Sequence, residues 1–295
     1  SGFKTLWLPG TDHAGIATQN VVEKELKKEG ISRHQLGREK FLEKVWAWKN
    51  KYGNIIISQL KKLGVSADWS RLRFTMDEEY QKAVGEAFLH YQKKGWIYRG
   101  ERVVSWCPRC QTSLSDLELE YAEEKGNLWF IKYPLKNGGN IVVATTRPET
   151  MLGDSAVAVN PKDARYKNII GQIATLPIKK REIPVIADRR VEQEFGTGAV
   201  KVTPAHDFLD AEIGKDNNLP VFKVINEIGK MTAEAGNICD GLSTGDCRKK
   251  VVEELERSGL IEKIEEFTHN VANCYRCNKT IEPIPGSQAV ADRKN

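Results

Sequence analysis

Two carboxylates three residues apart, Asp207 and Asp210, close the run Gly196-Thr197-Gly198-Ala199-Val200-Lys201-Val202-Thr203-Pro204-Ala205-His206-Asp207-Phe208-Leu209-Asp210. A strand ending at Thr203 and a helix beginning near Pro204 would place both acids on one helix face near its start, where they could take polar groups of one ligand. The same placement suits two acids that merely complement the helix dipole. A second polar cluster, Thr145-Thr146-Arg147-Pro148-Glu149-Thr150, also follows a strand and could be no more than a capped helix start. Four cysteines form the units Cys107-Pro108-Arg109-Cys110 and Cys274-Tyr275-Arg276-Cys277, the number of thiolates that a closed tetrahedral zinc site requires. Usual ribbon spacing is about 15–20 residues, whereas here residues 111–273 intervene, as a domain inserted into a zinc ribbon would produce. A lost site or plain buried thiols are the other readings. Cys239 and Cys247 have no paired spacing and read as ordinary buried residues. Gly10-Thr11-Asp12-His13-Ala14-Gly15 joins small residues to an acid and an imidazole, a composition suited to holding a ligand's ammonium, or else to a tight turn in which Asp12 caps a helix. No Gly-x-Ser-x-Gly elbow, Cys–His pairing or Gly-rich phosphate loop occurs, so hydrolysis would require a positioned water.

These residues need elements to hold them. Residues 5–9 form an apolar run stopped by Pro-Gly, which predicts a buried strand delivering residues 10–13 to its carboxyl end, where open α/β sheets bind ligands. From 16 to about 63 apolar residues recur at helical spacing (Phe41, Val45, Trp48, Tyr52, Ile56, Leu60), with a break near Gly30-Ile31-Ser32. Thr75-Met76-Asp77-Glu78 has the form of a capping box opening a helix to about residue 94. After residue 99 the texture turns to strands: 103–106, a hairpin of 128–133 and 141–146, then 173–176, 182–187 and 199–203. Helices are expected over 205–215 and 243–258. A domain boundary falls near residues 100–125.

At 295 residues with 40% hydrophobic content, the chain can bury at least one full core, and its length suggests two domains. No apolar stretch approaches the roughly 20 residues of a membrane helix, and the first residues are no secretory signal, so a cytoplasmic protein without membrane partners is expected. The net charge of +5, from 45 basic and 40 acidic residues, favours a polyanion only where the basic groups cluster.

Several segments together resemble valyl-tRNA synthetases, within the class I enzymes for valine, isoleucine and leucine. Residues 8–19, from Leu8-Pro9-Gly10-Thr11 to Thr18-Gln19, are similar to the valyl form of a segment in which the isoleucyl and leucyl enzymes usually carry an aromatic in place of Thr11. Leu63-Gly64-Val65-Ser66-Ala67-Asp68-Trp69-Ser70-Arg71, Phe74-Thr75-Met76-Asp77, residues 144–150 and the Gly196–Asp210 run add to it. The resemblance covers residues 1–284. It implies an α/β plus β-rich fold: a partial Rossmann-type synthetic domain (1–100), a zinc-ribbon stalk (101–125 and 270–285), an inserted β-barrel-like editing domain (126–269) and a non-family tail (286–295).

The resemblance further implies ATP-dependent charging of valine tRNA in the full-length family, with Mg, and hydrolytic editing of misacylated Thr-tRNA(Val) in the inserted domain. Asp207 would take the threonine hydroxyl and Asp210 the α-ammonium, while Thr203 and Thr150 shape the site. Arg147 and Lys201 would hold the terminal adenosine and its ester, and Phe195 would pack there. Thr11, Asp12 and His13 belong to the presumed amino-acid pocket, and Cys107, Cys110, Cys274 and Cys277 to a structural zinc. The expected partners are tRNA(Val), valine and ATP, and the expected state is a monomer. The family's His-x-Gly-His and Lys-Met-Ser-Lys-Ser segments do not occur in the chain, so adenylation by this chain alone, read as truncated, is not expected. A stand-alone editing hydrolase acting in trans and a catalytically silent zinc-ribbon RNA-binding module are the competing readings.

Overall fold

The computed structural model describes residues 2–291, with side chains through residue 288. The chain divides into one unit holding residues up to Arg99 and another spanning Gly100–Gln288. In the first, residues 2–9 have no regular structure, and Leu6, Trp7 and Leu8 are each more than half exposed. The buried strand expected there is reduced to β1 (Gly10–Thr11), which pairs in parallel with β2 (Arg73–Phe74). Between them run α1 (Gly15–Lys28), α2 (Arg33–Leu36) and α3 (Arg38–Lys62), as the periodicity predicts. The break at residues 30–32 has a local cause. Ser32 and Gln35 close a reciprocal capping box that starts α2 afresh.

Val22 and Leu26 of α1 bury against Phe41 of α3, with Leu36, Val45 and Trp48 beside them. The apolar stripe of α3 continues to Tyr52 and Ile56, but these are 38% and 53% exposed. The stripe is covered only in part because a sheet of two short strands offers a 25-residue helix little surface to rest on. The capping box expected at Thr75 is also corrected: α4 (Glu78–Lys93) starts after Asp77, and the Thr75 hydroxyl instead meets the backbone N–H and Nδ1 of His13 at 2.9 and 2.7 Å.

In the second unit, β3 (Ile97–Cys107) and β4 (Thr112–Leu114) form the first cysteine knuckle. β5 (Leu119–Pro134) and β6 (Asn140–Thr145) make the hairpin read from the sequence. β7 (Ala156–Val159), β8 (Ile173–Leu176), β9 (Arg181–Ala187) and β10 (Ala199–Val202) follow, with β7 parallel to β9 and the other neighbours antiparallel in the order β10-β7-β9-β8. α5 (Phe208–Asp216) and α6 (Thr244–Arg257) match the two expected helices, α5 starting three residues late because Pro204 lies in the preceding turn. β11 (Ile261–Cys274) then pairs along β5 from Ile261↔Ile131 to Cys274↔Leu119, and β12 (Glu282–Ala291) joins β3.

Neither β7, β11 nor β12 was anticipated. In β11 the charges Glu262, Lys263, Glu265 and Glu266 mask any alternation, because the middle of the β5–β11 ribbon is exposed on both faces. Of the residues assigned to the tail, 286–291 lie in β12, and residues 292–295 lie outside the described residues.

One core lies between the β11-β5-β6 sheet and the four-stranded sheet, with Ile131, Tyr133, Val143, Val157, Val185 and Leu255 among its members. α5 covers the other face of the four-stranded sheet through Ile213, against Ala156, Ala158 and Val202. Sandwiched on both sides, all four β7 residues are buried, which is why its sequence is an unbroken Ala-Val-Ala-Val. The expected barrel does not close as a continuous ladder among the described residues. Its two sheets meet at the Leu135↔Ala174 bridge and where the Thr197 hydroxyl donates to Val142 O at 2.6 Å. Cys239 and Cys247 are fully buried, as expected, but they form a disulfide rather than standing alone. A turn at Asp240–Gly241 folds the segment back onto α6, a proximity that a spacing of eight residues does not announce.

Candidate active site

Asp207 is the N-cap of α5 rather than a residue on its face. Its backbone is extended (φ −150°, ψ 143°), and its Oδ1 accepts from the N–H groups of Leu209 and Asp210 at 2.8 and 3.0 Å, satisfying donors that the first helical turn leaves over. Asp210, one turn in and 5% exposed, turns back to accept the Thr203 N–H through Oδ2 at 2.8 Å, tying the end of β10 to the helix. Asp207 Oδ2 and Asp210 Oδ1 have no hydrogen-bond partner among the described residues. Burial pushes the Asp210 carboxyl up to about 7, opposed by the nearby Lys201 charge and reinforced by Asp207.

Lys201 points from β10 into the protein, its side chain 10% exposed, and donates to Thr203 Oγ1 at 2.6 Å. The Thr203 hydroxyl donates in turn to Asp154 Oδ1 at 2.5 Å, and Tyr133 OH to Asp154 Oδ2 at 2.7 Å. Burial raises the Asp154 carboxyl, while Lys201, Thr203 and Tyr133 all favour its ionised form. Neither Asp154 nor Tyr133 stands out in the sequence. The one local signal is an acid directly after the apolar Met151-Leu152-Gly153.

Arg147 and Thr150 belong to a second network. Residues Pro148–Gly153 form a buried 3-10 turn in which the Thr150 hydroxyl donates to Arg147 O at 2.9 Å. The Arg147 guanidinium donates through Nε to Glu149 at 3.2 Å and through one terminal nitrogen to Glu282 of β12 at 2.5 Å, while its other terminal nitrogen has no hydrogen-bond partner among the described residues. Glu149, fully buried, receives a bidentate pair from Arg248 of α6 with both bonds at 2.8 Å. Burial would raise its carboxyl, but the Arg248 bonds and the Arg147 charge hold it below the usual range.

The networks share β12. Beside Glu282, the Pro283 carbonyl accepts from His206 Nδ1 at 3.1 Å, while His206 Nε2 accepts from Val224 and Ile225 N–H at 2.9 and 3.2 Å. This pattern requires a neutral ring protonated on Nδ1, and burial pushes the imidazole down to about 3. Because that lies below the ordinary value of 6.5, the His206 contribution to stability is complete above pH 6.5 and is lost as pH falls towards 3. Urea unfolding from pH 7 to 4 is expected to show this, and His206→Gln to be less stable at pH 7 yet less acid-sensitive. A parallel pH dependence in both proteins would refute it.

Phe195, 47% exposed, meets Phe267 edge to face at 6.2 Å, and no bond joins it to either network among the described residues. Thr11, Asp12 and His13 lie together in the first unit, lining a cleft of about 380 Å3 with Trp48, Tyr52 and Arg73. Asp12 Oδ1 there accepts the Ala14 N–H, closing a turn before α1. The ligand atoms of Cys107, Cys110, Cys274 and Cys277 all lie within 4.8 Å of one another. Tetrahedral zinc with bonds of about 2.3 Å sets its sulfurs roughly 3.8 Å apart, so the four thiols fit one closed metal site.

The family model described as tRNA synthetases class I (I, L, M and V) matches residues 1–275. The chain belongs to that class I synthetase family. It is 54% identical over 285 residues to the valine–tRNA ligase of Geobacter sulfurreducens, covering 96% of this chain and 32% of that protein. It is 56% identical over 283 residues to that of Carboxydothermus hydrogenoformans, with the same two coverages. For the Aquifex aeolicus enzyme the figures are 54% over 305 residues, 97% of this chain and 26% of that protein. The chain thus spans about a third or less of these relatives' length. Among the described residues no helix is long and apolar enough to cross a membrane.

Proposed function

We propose that this synthetase chain carries the hydrolytic editing site of a valine–tRNA ligase, acting on threonine misattached to tRNA(Val). The observation that carries this reading is the Asp207–Asp210 pair, held by backbone hydrogen bonds at the start of α5 with one carboxylate oxygen of each uncommitted among the described residues. A valine pocket rejects threonine by only about a hundredfold, a figure already established for valyl enzymes and not a result of this structure. A second site can do better by hydrogen-bonding the hydroxyl. Asp207 would accept it and Asp210 the ammonium, with valine offering the Asp207 carboxylate no donor in its place. Lys201 and the uncommitted terminal nitrogen of Arg147 would hold the ester and the terminal adenosine, with Phe195 packing beside them, while an oriented water attacks the carbonyl. Thr203 and Thr150 would act by holding Lys201 and Arg147. Charging of tRNA(Val) with valine, using ATP and Mg, would belong to the whole ligase, with Thr11, Asp12 and His13 in its amino-acid pocket. The test is release of amino acid from tRNA(Val): the chain should deacylate Thr-tRNA(Val) at least about tenfold faster than Val-tRNA(Val), and equal rates would overturn the reading.

Zinc would be held by Cys107, Cys110, Cys274 and Cys277 and would supply a structural cross-link between the β3–β4 knuckle and the end of β11. About one zinc per chain is expected by metal analysis, with loss in Cys274→Ser. Equal zinc in both proteins would rule out this ligand set.

A further inference from the structure

We propose that Asp154 is the positioning residue of this site, fixing the proton of the Thr203 hydroxyl and through it the place of the Lys201 ammonium. The inference rests on the reading that Lys201 works beside the scissile ester. Asp154, Tyr133 and Thr203 are all fully buried. Every polar contact of the Asp154 carboxylate is with a donor: Tyr133 OH on Oδ2 at 2.7 Å, the Thr203 hydroxyl on Oδ1 at 2.5 Å, and Lys201 Nζ at 3.6 Å from Oδ1. An ionised carboxylate can only accept. The single Thr203 proton is therefore spent on Asp154, and the Thr203 oxygen must present its lone pairs to Lys201 Nζ, 2.6 Å away. Thr203 has no proton to offer a substrate.

The backbone around Asp154 is equally constrained. Arg181 donates to its carbonyl at 2.7 Å, and Ser155 N–H donates to Val202 O at 2.8 Å, which pins the segment to the end of β10. An added Cβ at Gly153 would sit 3.0 Å from Phe222 O and 3.2 Å from Thr203 Cγ2, so any side chain there would make these neighbours give way by a few tenths of an ångström. The strand residue Lys201 thus receives its orientation from a neighbouring loop.

The experiment compares the parent with Asp154→Asn and Tyr133→Phe, each shown folded by circular dichroism. It reads kcat and KM for Thr-tRNA(Val) deacylation and the rate at which an amine-acylating reagent labels Lys201 against the exposed Lys162. Asp154→Asn should lower kcat by about tenfold or more with KM held within about twofold, because a displaced ammonium is lost in the transition state rather than in binding. Tyr133→Phe should show the same split at about threefold. Lys201 should be labelled several-fold faster in Asp154→Asn. Unchanged kcat, kcat and KM moving together, or parent-like labelling of Lys201 would each overturn the proposal. If Asp154→Asn does not fold, Tyr133→Phe decides by the same criteria. If the parent does not deacylate Thr-tRNA(Val), the editing reading fails, and the labelling of Lys201 alone decides the role of Asp154.

Discussion

Asp210→Asn is expected to deacylate Thr-tRNA(Val) at least about tenfold more slowly than the parent, because a charge-assisted bond to the ammonium is worth roughly 1.5–3 kcal/mol. Asparagine is the informative replacement. The Asp210 Oδ2 atom accepts the buried Thr203 N–H, and the amide oxygen can keep that bond, so the link between β10 and α5 survives while the charge is lost. Alanine would orphan the N–H and cost about 1–3 kcal/mol of stability, confusing folding with recognition. The pH profile separates the two further. An ammonium is recognised by the ionised carboxyl, which burial holds up to about 7. The parent's kcat/KM, which reports the free enzyme, should rise through about pH 7, and the variant's should not. An Asp210→Asn protein that deacylates at the parent rate would remove Asp210 from the site.

Glu149→Ala should be the most damaging single change to stability. Its carboxylate is fully buried and receives Arg248 bidentately and Arg147 through Nε. Removing one partner of such a group typically costs about 3–5 kcal/mol, since the remaining charges are left without compensation. Here the arginines keep 29% and 37% side-chain exposure, so water recovers part of the loss. We expect about 3 kcal/mol, or roughly 6–12 °C in melting temperature for a domain of this size. Glu149→Gln, which keeps the shape and an acceptor, should lose less. Calorimetry on the full chain tests this, and a shift under about 2 °C for the alanine variant would mean that the pair contributes little.

Lys201, Thr203, Asp207 and Asp210 were legible in the sequence because they fall within ten consecutive residues. A strand, a turn and a helix start fix neighbours at such spacings through backbone geometry alone. The four cysteines of the candidate metal site were legible for another reason: two Cys-x-x-Cys knuckles announce their chemistry by type, even with Cys107 and Cys277 170 residues apart. The hairpin of β5 and β6 and the helices α1 to α3 likewise follow from local pattern.

What only the tertiary structure decided is what these residues are bonded to. Asp154 reaches Thr203 across 49 residues, Glu149 reaches Arg248 across 99, and Arg147 reaches Glu282 across 135. Such partners depend on β7 lying beside β10, α6 packing on the 3-10 turn and β12 returning past both site loops, choices made by burial of the shared core rather than by local spacing. Thr203 and Arg147 are bonded to protein partners for that reason, since burial demands a partner for every charge and hydroxyl it encloses. The uncovered stripe of α3 shows the converse. Periodicity marked which residues seek a core, while whether they find one rests on surfaces that no local pattern describes.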